Sequence, residues 1–414
     1  MYGVKRLKRL AVLPAVLGLL LITSCGGGNG SSNTPASKVQ HRSLISNTFS
    51  GNLQVVDIQN DTTQFTPSTT TSTGQVVPGV PVTVPAGTSV TFEAVTSDMS
   101  KTLVYDQSDN ALIFITNSTE ALLGTVVLAA PAQMALFSPD GNTAYAPVRN
   151  VSITGQRAGG VQVVNVTTPG ITTTYPVPSA TYIALSPSGQ YLLVFADNSD
   201  SVFLIDLKAT TVAAVEIPGF ARPVNAFFSS DSNTAYVLNC GWECGSTTTA
   251  ASVAQLDIPS QTIKASVVVG GASVGLLKGT TLYVAGTSQT AGPVFDIVNV
   301  GNMTRTTANS IAITDGLHTT MGLTTNNKLY IGAITCSNQT AGCLSVVDLT
   351  NNTADPPLPP KGSVTGMLAI PNRNVIYVIQ GGYLQIYDTV SDTIQKTQII
   401  FQGALYGVVQ VDPE

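Results

Sequence analysis

Charge is the scarcest commodity in this sequence. Asp, Glu, Lys and Arg together make up 10% of its 414 residues, against about 25% in an ordinary soluble domain. The formal charge is −5, and a nucleic-acid binder needs a basic footprint to displace counterions from phosphates, so that partner class is excluded. Low charge alongside 43% apolar residues also excludes extended disorder. Histidine is nearly missing, with His41 and His318 alone, which leaves no material for a histidine-rich metal cluster. Neither a haem-attachment Cys-x-x-Cys-His, nor a Gly-x-Ser-x-Gly elbow, nor a phosphate loop is present, and the residues imply no cofactor and no metal. No apolar run reaches the roughly twenty residues that a membrane-spanning helix needs.

The longest apolar run, Leu10 to Thr23, follows the basic cluster Lys5, Arg6, Lys8 and Arg9, which is the layout of a signal peptide. It leads into Leu21-Ile22-Thr23-Ser24-Cys25 and then Gly26-Gly27-Gly28-Asn29-Gly30-Ser31-Ser32, a flexible tether. The five residues ending in Cys25 resemble the lipobox of bacterial lipoproteins. The resemblance implies cleavage before Cys25, a diacylglyceryl group on its sulfur and attachment to the cell envelope. Two acyl chains suffice for stable anchoring. Gly26, where that family's inner-membrane retention signal would place an aspartate, implies the outer membrane of a two-membrane cell. Residues 1–24 are thus read as a lipoprotein signal peptide, 25–40 as the lipidated cysteine and its tether, and 41–414 as one folded domain. Loss of the leader moves the formal charge from −5 to −9.

Beyond Lys38 there is no helical periodicity. Short β-branched runs alternate with Gly, Asn, Asp and Pro, and one element recurs: an apolar strand ending in Asp or Asn. Its copies end at Asp57, Asn165, Asp206, Asp257, Asn299, Asp348 and Asp388, with a weaker one at Thr116. Successive copies lie 40 to 59 residues apart, about 47 on average. A second element precedes each: a turn such as Ser138-Pro139-Asp140-Gly141, then a strand carrying Tyr145 or its counterparts Tyr191, Tyr236, Tyr283, Tyr330 and Tyr377. Pro presets φ and Gly accepts a positive φ in such turns. Four short antiparallel strands per unit make one blade of a β-propeller.

The two elements, in order over roughly Arg42 to Val411, resemble the YVTN-type (YncE-like) propeller repeats, with Tyr236-Val237-Leu238-Asn239 matching the signature strand. The resemblance implies fold, not activity. Eight units are expected here, with seven, the usual number in that family, as the alternative. Leu405 to Val411 is a spare strand after the last unit, while the first unit lacks an inner strand; the two are expected to combine and close the ring, removing its edges. The recurring aspartates are read as turn caps, not as a metal ring.

Strand alternation puts the loops between second and third strands, and those between blades, on one face. From the second-strand tyrosine to the third-strand Asx, the tightest unit spans 11 residues (Tyr377 to Asp388) and the longest 21 (Tyr236 to Asp257). Two of the long loops hold the other cysteines, and an exported chain is expected to pair them locally, Cys240 with Cys244 and Cys336 with Cys343. The candidate binding residues on this face are Trp242, Glu243, Arg149, Arg157, Arg222, Asp315 and His318.

Three functional classes compete. Propeller quinoprotein dehydrogenases carry repeated Trp docking motifs, which a sequence with one tryptophan cannot supply. Propeller lactonases need acidic, His or Arg groups around the channel, for which Asp315, His318, Arg222 and Glu243 are the candidates. The favoured expectation is a monomeric, lipid-anchored, non-catalytic module that presents its loop-rich face to a protein, glycan or small ligand. A structural envelope scaffold with no discrete ligand is the further alternative.

Overall fold

The computed structural model describes residues 37, 39–63, 69–70, 76–77, 83–246, 249–314, 317–336, 341–356, 358–359, 361–399 and 404–413. They form an eight-bladed β-propeller. Blade 3, for instance, runs outward through Leu136–Phe137, Thr143–Val148, Gly160–Asn165 and Gly170–Pro176. Blade 1 takes its inner strand from Leu405–Gln410, which pairs antiparallel with Arg42–Asn47; Asn52–Asp57 follows. The expected closure and the count of eight both hold. The outer strand of blade 1 comes in two pieces, Thr62–Thr63 and Thr83–Pro85. In blade 7 it shrinks to Thr353–Ala354, just before the Pro-rich connector.

The local chemistry is that of the repeats. Seven of the eight third strands end in a side chain that caps the following turn: Asp57 Oδ1 accepts from Gln59 N at 2.9 Å, Asp348 Oδ1 from Thr350 N at 2.7 Å, and Asp388 Oδ1 from Val390 N at 2.7 Å. Asn165 and Asn299 do the same toward Thr168 N and Gly301 N. The turn between first and second strands is equally regular. Ser138 Oγ donates to Asp140 and accepts from Thr143 N, and Ser229 repeats both bonds toward Asp231 and Thr234.

Blade strands are apolar on both faces because each face meets a neighbouring blade. Leu44 packs into the seam between blades 1 and 2, whereas Ile45 enters the seam between blades 8 and 1. Eight apolar clusters result, one at each seam. This arrangement explains the unbroken β-branched runs, which carry none of the polar alternation of a half-exposed sheet.

Polar clasps reinforce three consecutive seams. Four residues after the end of the third strand, six blades have a turn position with a left-handed φ of 52–55°: Asp61, Glu120, Gln261, Met303, Asn352 and Asp392. It is acidic in blades 1, 2 and 8. There the acid reaches back to the second strand of the preceding blade or the turn leading into it. Arg42 of blade 1 binds Glu120 at 2.7 Å. Tyr330 donates to Asp392 at 2.5 Å beside the Lys328 ammonium. Arg373 grips Asp61 with two nitrogens, at 2.8 and 2.6 Å, and Tyr377 donates to the same carboxylate at 2.7 Å. Burial drives both tyrosine phenols far above their ordinary value, and the hydrogen bonds to the carboxylates add to it.

Candidate functional site

The face opposite those clasps carries the long loops, and its central feature is set by backbone irregularity. The inner strands of blades 2, 4, 5, 7 and 8 each slip register near their start, between Val90 and Glu93, Ala180 and Tyr182, Pro223 and Asn225, His318 and Thr320, and Val364 and Gly366. A bulge re-aims the extra residue and leaves a partner carbonyl unpaired. Threonine meets that need in two blades, where Thr91 and Thr181 donate to the Tyr105 and Phe195 carbonyls at 3.4 and 3.0 Å; in blade 7 Thr319 donates to the Val364 carbonyl of blade 8 at 2.8 Å, with the Gly332 carbonyl 3.3 Å away. In blade 8 the equivalent Thr365 Oγ1 is buried with no partner among the described residues.

These bulges surround an axial cavity of about 660 Å³, within the range that takes a small ligand. His318, Asn225, Ser273 and Thr365 line it beside Phe92, Val224 and Val274, with the His318 ring nitrogens and Thr365 Oγ1 themselves buried. Tyr182 from blade 4 and Tyr406 from blade 1 stand in it with 43% and 38% of their surface exposed. Burial raises the Tyr182 phenol, with Tyr406 a second contributor. Among the described residues, no Asp, Glu, Lys or Arg lines the cavity.

A slot of about 370 Å³ adjoins it across blades 4 and 5, sharing Tyr182 and Val224. Two of the sequence candidates, Arg149 and Arg222, form its walls together with Cys244. Both arginines are engaged. Arg149 pairs with Asp197. Arg222 donates to the Asn198 carbonyl at 2.6 Å, and its Nε stands 3.8 Å from Asp200. Arg222 also holds a φ of 55°, a conformation that costs an L-residue energy and is found at constrained, functional loops.

The remaining candidates separate. His318 reaches the axial cavity, and its side chain is buried. Arg157 lies exposed at the tip of the blade 3 loop, away from the slot. Trp242 is half-buried in a one-turn 3-10 helix, Gly241–Cys244. Glu243 of that helix is a strut: its carboxylate accepts from Thr287 N at 2.8 Å and Thr287 Oγ1 at 3.2 Å, fastening the loop to blade 6. Both disulfides are present as expected, Cys240–Cys244 and Cys336–Cys343. Asp315 and the lipidation candidate Cys25 lie outside the described residues. Among the described residues, no group of three His, Cys, Asp or Glu side chains is placed to share a metal ion.

Tyr182, Tyr406 and the bulge threonines escaped the sequence reading. A faint signal exists in Val90-Thr91-Phe92 and Ala180-Thr181-Tyr182, where Thr precedes an aromatic residue at the start of an inner strand.

The fold and site define an eight-bladed propeller with an axial cavity on its loop-rich face, lined by no charged side chain among the described residues. No family model matches the chain, and no curated protein matches its sequence. Solved structures do match. Dihydro-heme d1 dehydrogenase NirN, solved in complex with DHE, aligns with a TM-score of 0.64 at 11% identity, over 91% of this chain and 79% of that one. A functionally unknown protein from Desulfotomaculum acetoxidans aligns at 0.51 and 15% identity, over 90% and 99%. Hydrazine synthase of Kuenenia stuttgartiensis aligns at 0.51 and 14% identity, over 75% and 94%. Likeness at such identities shows the fold and nothing of activity.

Proposed function

We propose that this protein is a lipid-anchored cell-envelope propeller that binds its ligand without chemistry, through the axial cavity and adjoining slot of the loop-rich face. The observation that carries the reading is the composition of that site. General acid–base work needs a titratable group within hydrogen-bond reach of the reacting atom. Of the four residues that a lactonase-like hydrolase would draw on, His318 alone is placed on the cavity. Arg222 is committed to blade 4 and Glu243 to blade 6, while Asp315 lies outside the described residues. The two disulfides brace loops of the same face, which lowers the ordering cost of binding. The anchor rests on the lipobox-like residues through Cys25.

Site-specific photo-crosslinking in intact cells tests the reading. A photoreactive residue at Tyr182 should give discrete adducts, whereas one at Lys208, on a turn of the opposite face, should give none. Equal labelling at both positions, or at neither, contradicts a loop-face site. Cys25→Ala should release the protein from the membrane fraction; a variant that still sediments with membranes contradicts the anchor.

A further inference from the structure

We infer that the axial cavity takes a neutral oligosaccharide; this deepens the binding reading above and rests on it. Three features of the cavity set the ligand class. First, among the described residues no Asp, Glu, Lys or Arg lines it. An ionised phosphate, carboxylate or ammonium drawn in from water would lose its hydration without gaining a counter-charge there, which is strongly unfavourable. Second, the wall is not apolar throughout. Asn225 and Ser273 line the cavity; Asn225 Oδ1 accepts from Ala226 N at 2.8 Å and Ser273 Oγ donates to the Ala285 carbonyl at 3.3 Å. A hydrocarbon ligand would strip water from these polar side chains without replacing its hydrogen bonds, which is unfavourable. Third, Tyr182 and Tyr406 keep 43% and 38% of their surface free. A tyrosine offers a flat apolar face with a polar tip. A pyranose matches that mixture, with C–H groups on its faces and hydroxyls around its edge.

The adjoining slot sets the size. It shares Tyr182 and Val224 with the cavity, so a ligand seated on the axis can continue outward between blades 4 and 5. There it meets Arg149 already neutralised by Asp197. Such a pair hydrogen-bonds hydroxyl groups without demanding a charged ligand. The trough therefore suits several linked sugars better than one.

The test is titration calorimetry of the mature protein against uncharged tetrasaccharides (maltotetraose, cellotetraose, chitotetraose and mannotetraose), with hemin as an anionic planar probe. Binding of at least one tetrasaccharide is expected, with little dependence on salt. Tyr182→Ala and Tyr406→Ala should each weaken it at least tenfold, while Tyr182→Phe, which keeps the ring, should change it less than threefold. Both tyrosines are substantially exposed, so the melting temperature should hold in all three variants. Failure of every tetrasaccharide, binding indifferent to both alanine variants, or hemin binding in the cavity in their place would overturn the inference. Crosslinking at Tyr182 combined with no saccharide binding would sink the ligand class alone; no crosslinking would sink the site itself.

Discussion

Arg42→Ala is expected to destabilise the propeller by about 3–5 kcal/mol, the usual consequence of removing one partner from a buried ion pair. Arg42 is 2% exposed although it is an arginine. It ties three parts of the chain together. Its Nε and Nη2 bind both oxygens of Asp412 at 2.6 Å, its backbone N–H binds Asp412 Oδ2 at 2.9 Å, and its Nη1 reaches Glu120 at 2.7 Å and the Asn117 carbonyl at 2.8 Å. Truncation leaves the buried Glu120 carboxylate without its counter-charge, with hydrogen bonds from Ser37 N and Oγ remaining, and frees the segment that follows the closing strand. Arg42→Lys should fail almost as badly, because an ammonium cannot reproduce a planar fork that serves two acids at once. Urea-induced unfolding reads the effect. A loss below about 1 kcal/mol, the level of an exposed pair, would show that the clasp does not hold the ring.

That clasp marks the boundary of what could be read from residues alone. Blade number, strand order and closure were legible because they rest on local chemistry repeated eight times. Pro139-Asp140-Gly141 makes a turn wherever it occurs, and Asp388 caps the turn that follows it. The acids four residues farther on, Asp61, Glu120 and Asp392, were equally visible as letters. Their meaning depends on which blade stands behind them, and that follows only from the closed ring. The site was less legible for a related reason. A β-bulge is a mismatch between two strands, so Thr181 and Thr319 look like ordinary strand residues until their partners are aligned. Charged residues drew attention because they were rare, yet the fold spends Glu243 on fastening a loop and Arg149 on an ion pair. Of the residues singled out in advance, His318, Arg149 and Arg222 are the ones that the structure sets on the cavity or slot that Tyr182 joins.

Glu93→Gln should stabilise the protein above neutral pH, by about 2 kcal/mol at pH 8, and should flatten its stability between about pH 5 and 8. Glu93 lies on the inner strand of blade 2, against the closing strand of blade 1. A Cβ on Gly407 would sit 3.3 Å from its Oε1 and 3.1 Å from the Ser46 oxygen, so the three groups are packed against one another. Both carboxyl oxygens are buried, with no partner in hydrogen-bonding geometry among the described residues. Ser46 is beside them but gives its proton to the Thr91 carbonyl and accepts from Gly407 N, each at 2.8 Å. Burial therefore dominates any help from Ser46 and raises the Glu93 carboxyl to about 8. Unfolded, it titrates near 4.3. The folded state thus holds the extra proton between those values, and stability falls as pH climbs through that interval, levelling off above pH 8. A tenfold change in proton affinity on folding is worth about 1.4 kcal/mol, and water reaching a partly exposed residue discounts the total. The turn aspartates work in the opposite direction. Hydrogen bonds from Thr350 N to Asp348 and from Ser391 N to Asp388 hold these carboxyls below their ordinary range. Their contribution is complete above about pH 4 and fades on further acidification. Gln keeps the shape of Glu93 without its proton, so the variant should match its parent near pH 4 and exceed it progressively toward pH 8. A parallel pair of pH–stability curves would mean that Glu93 is ionised at neutrality, with its charge satisfied by water in the channel.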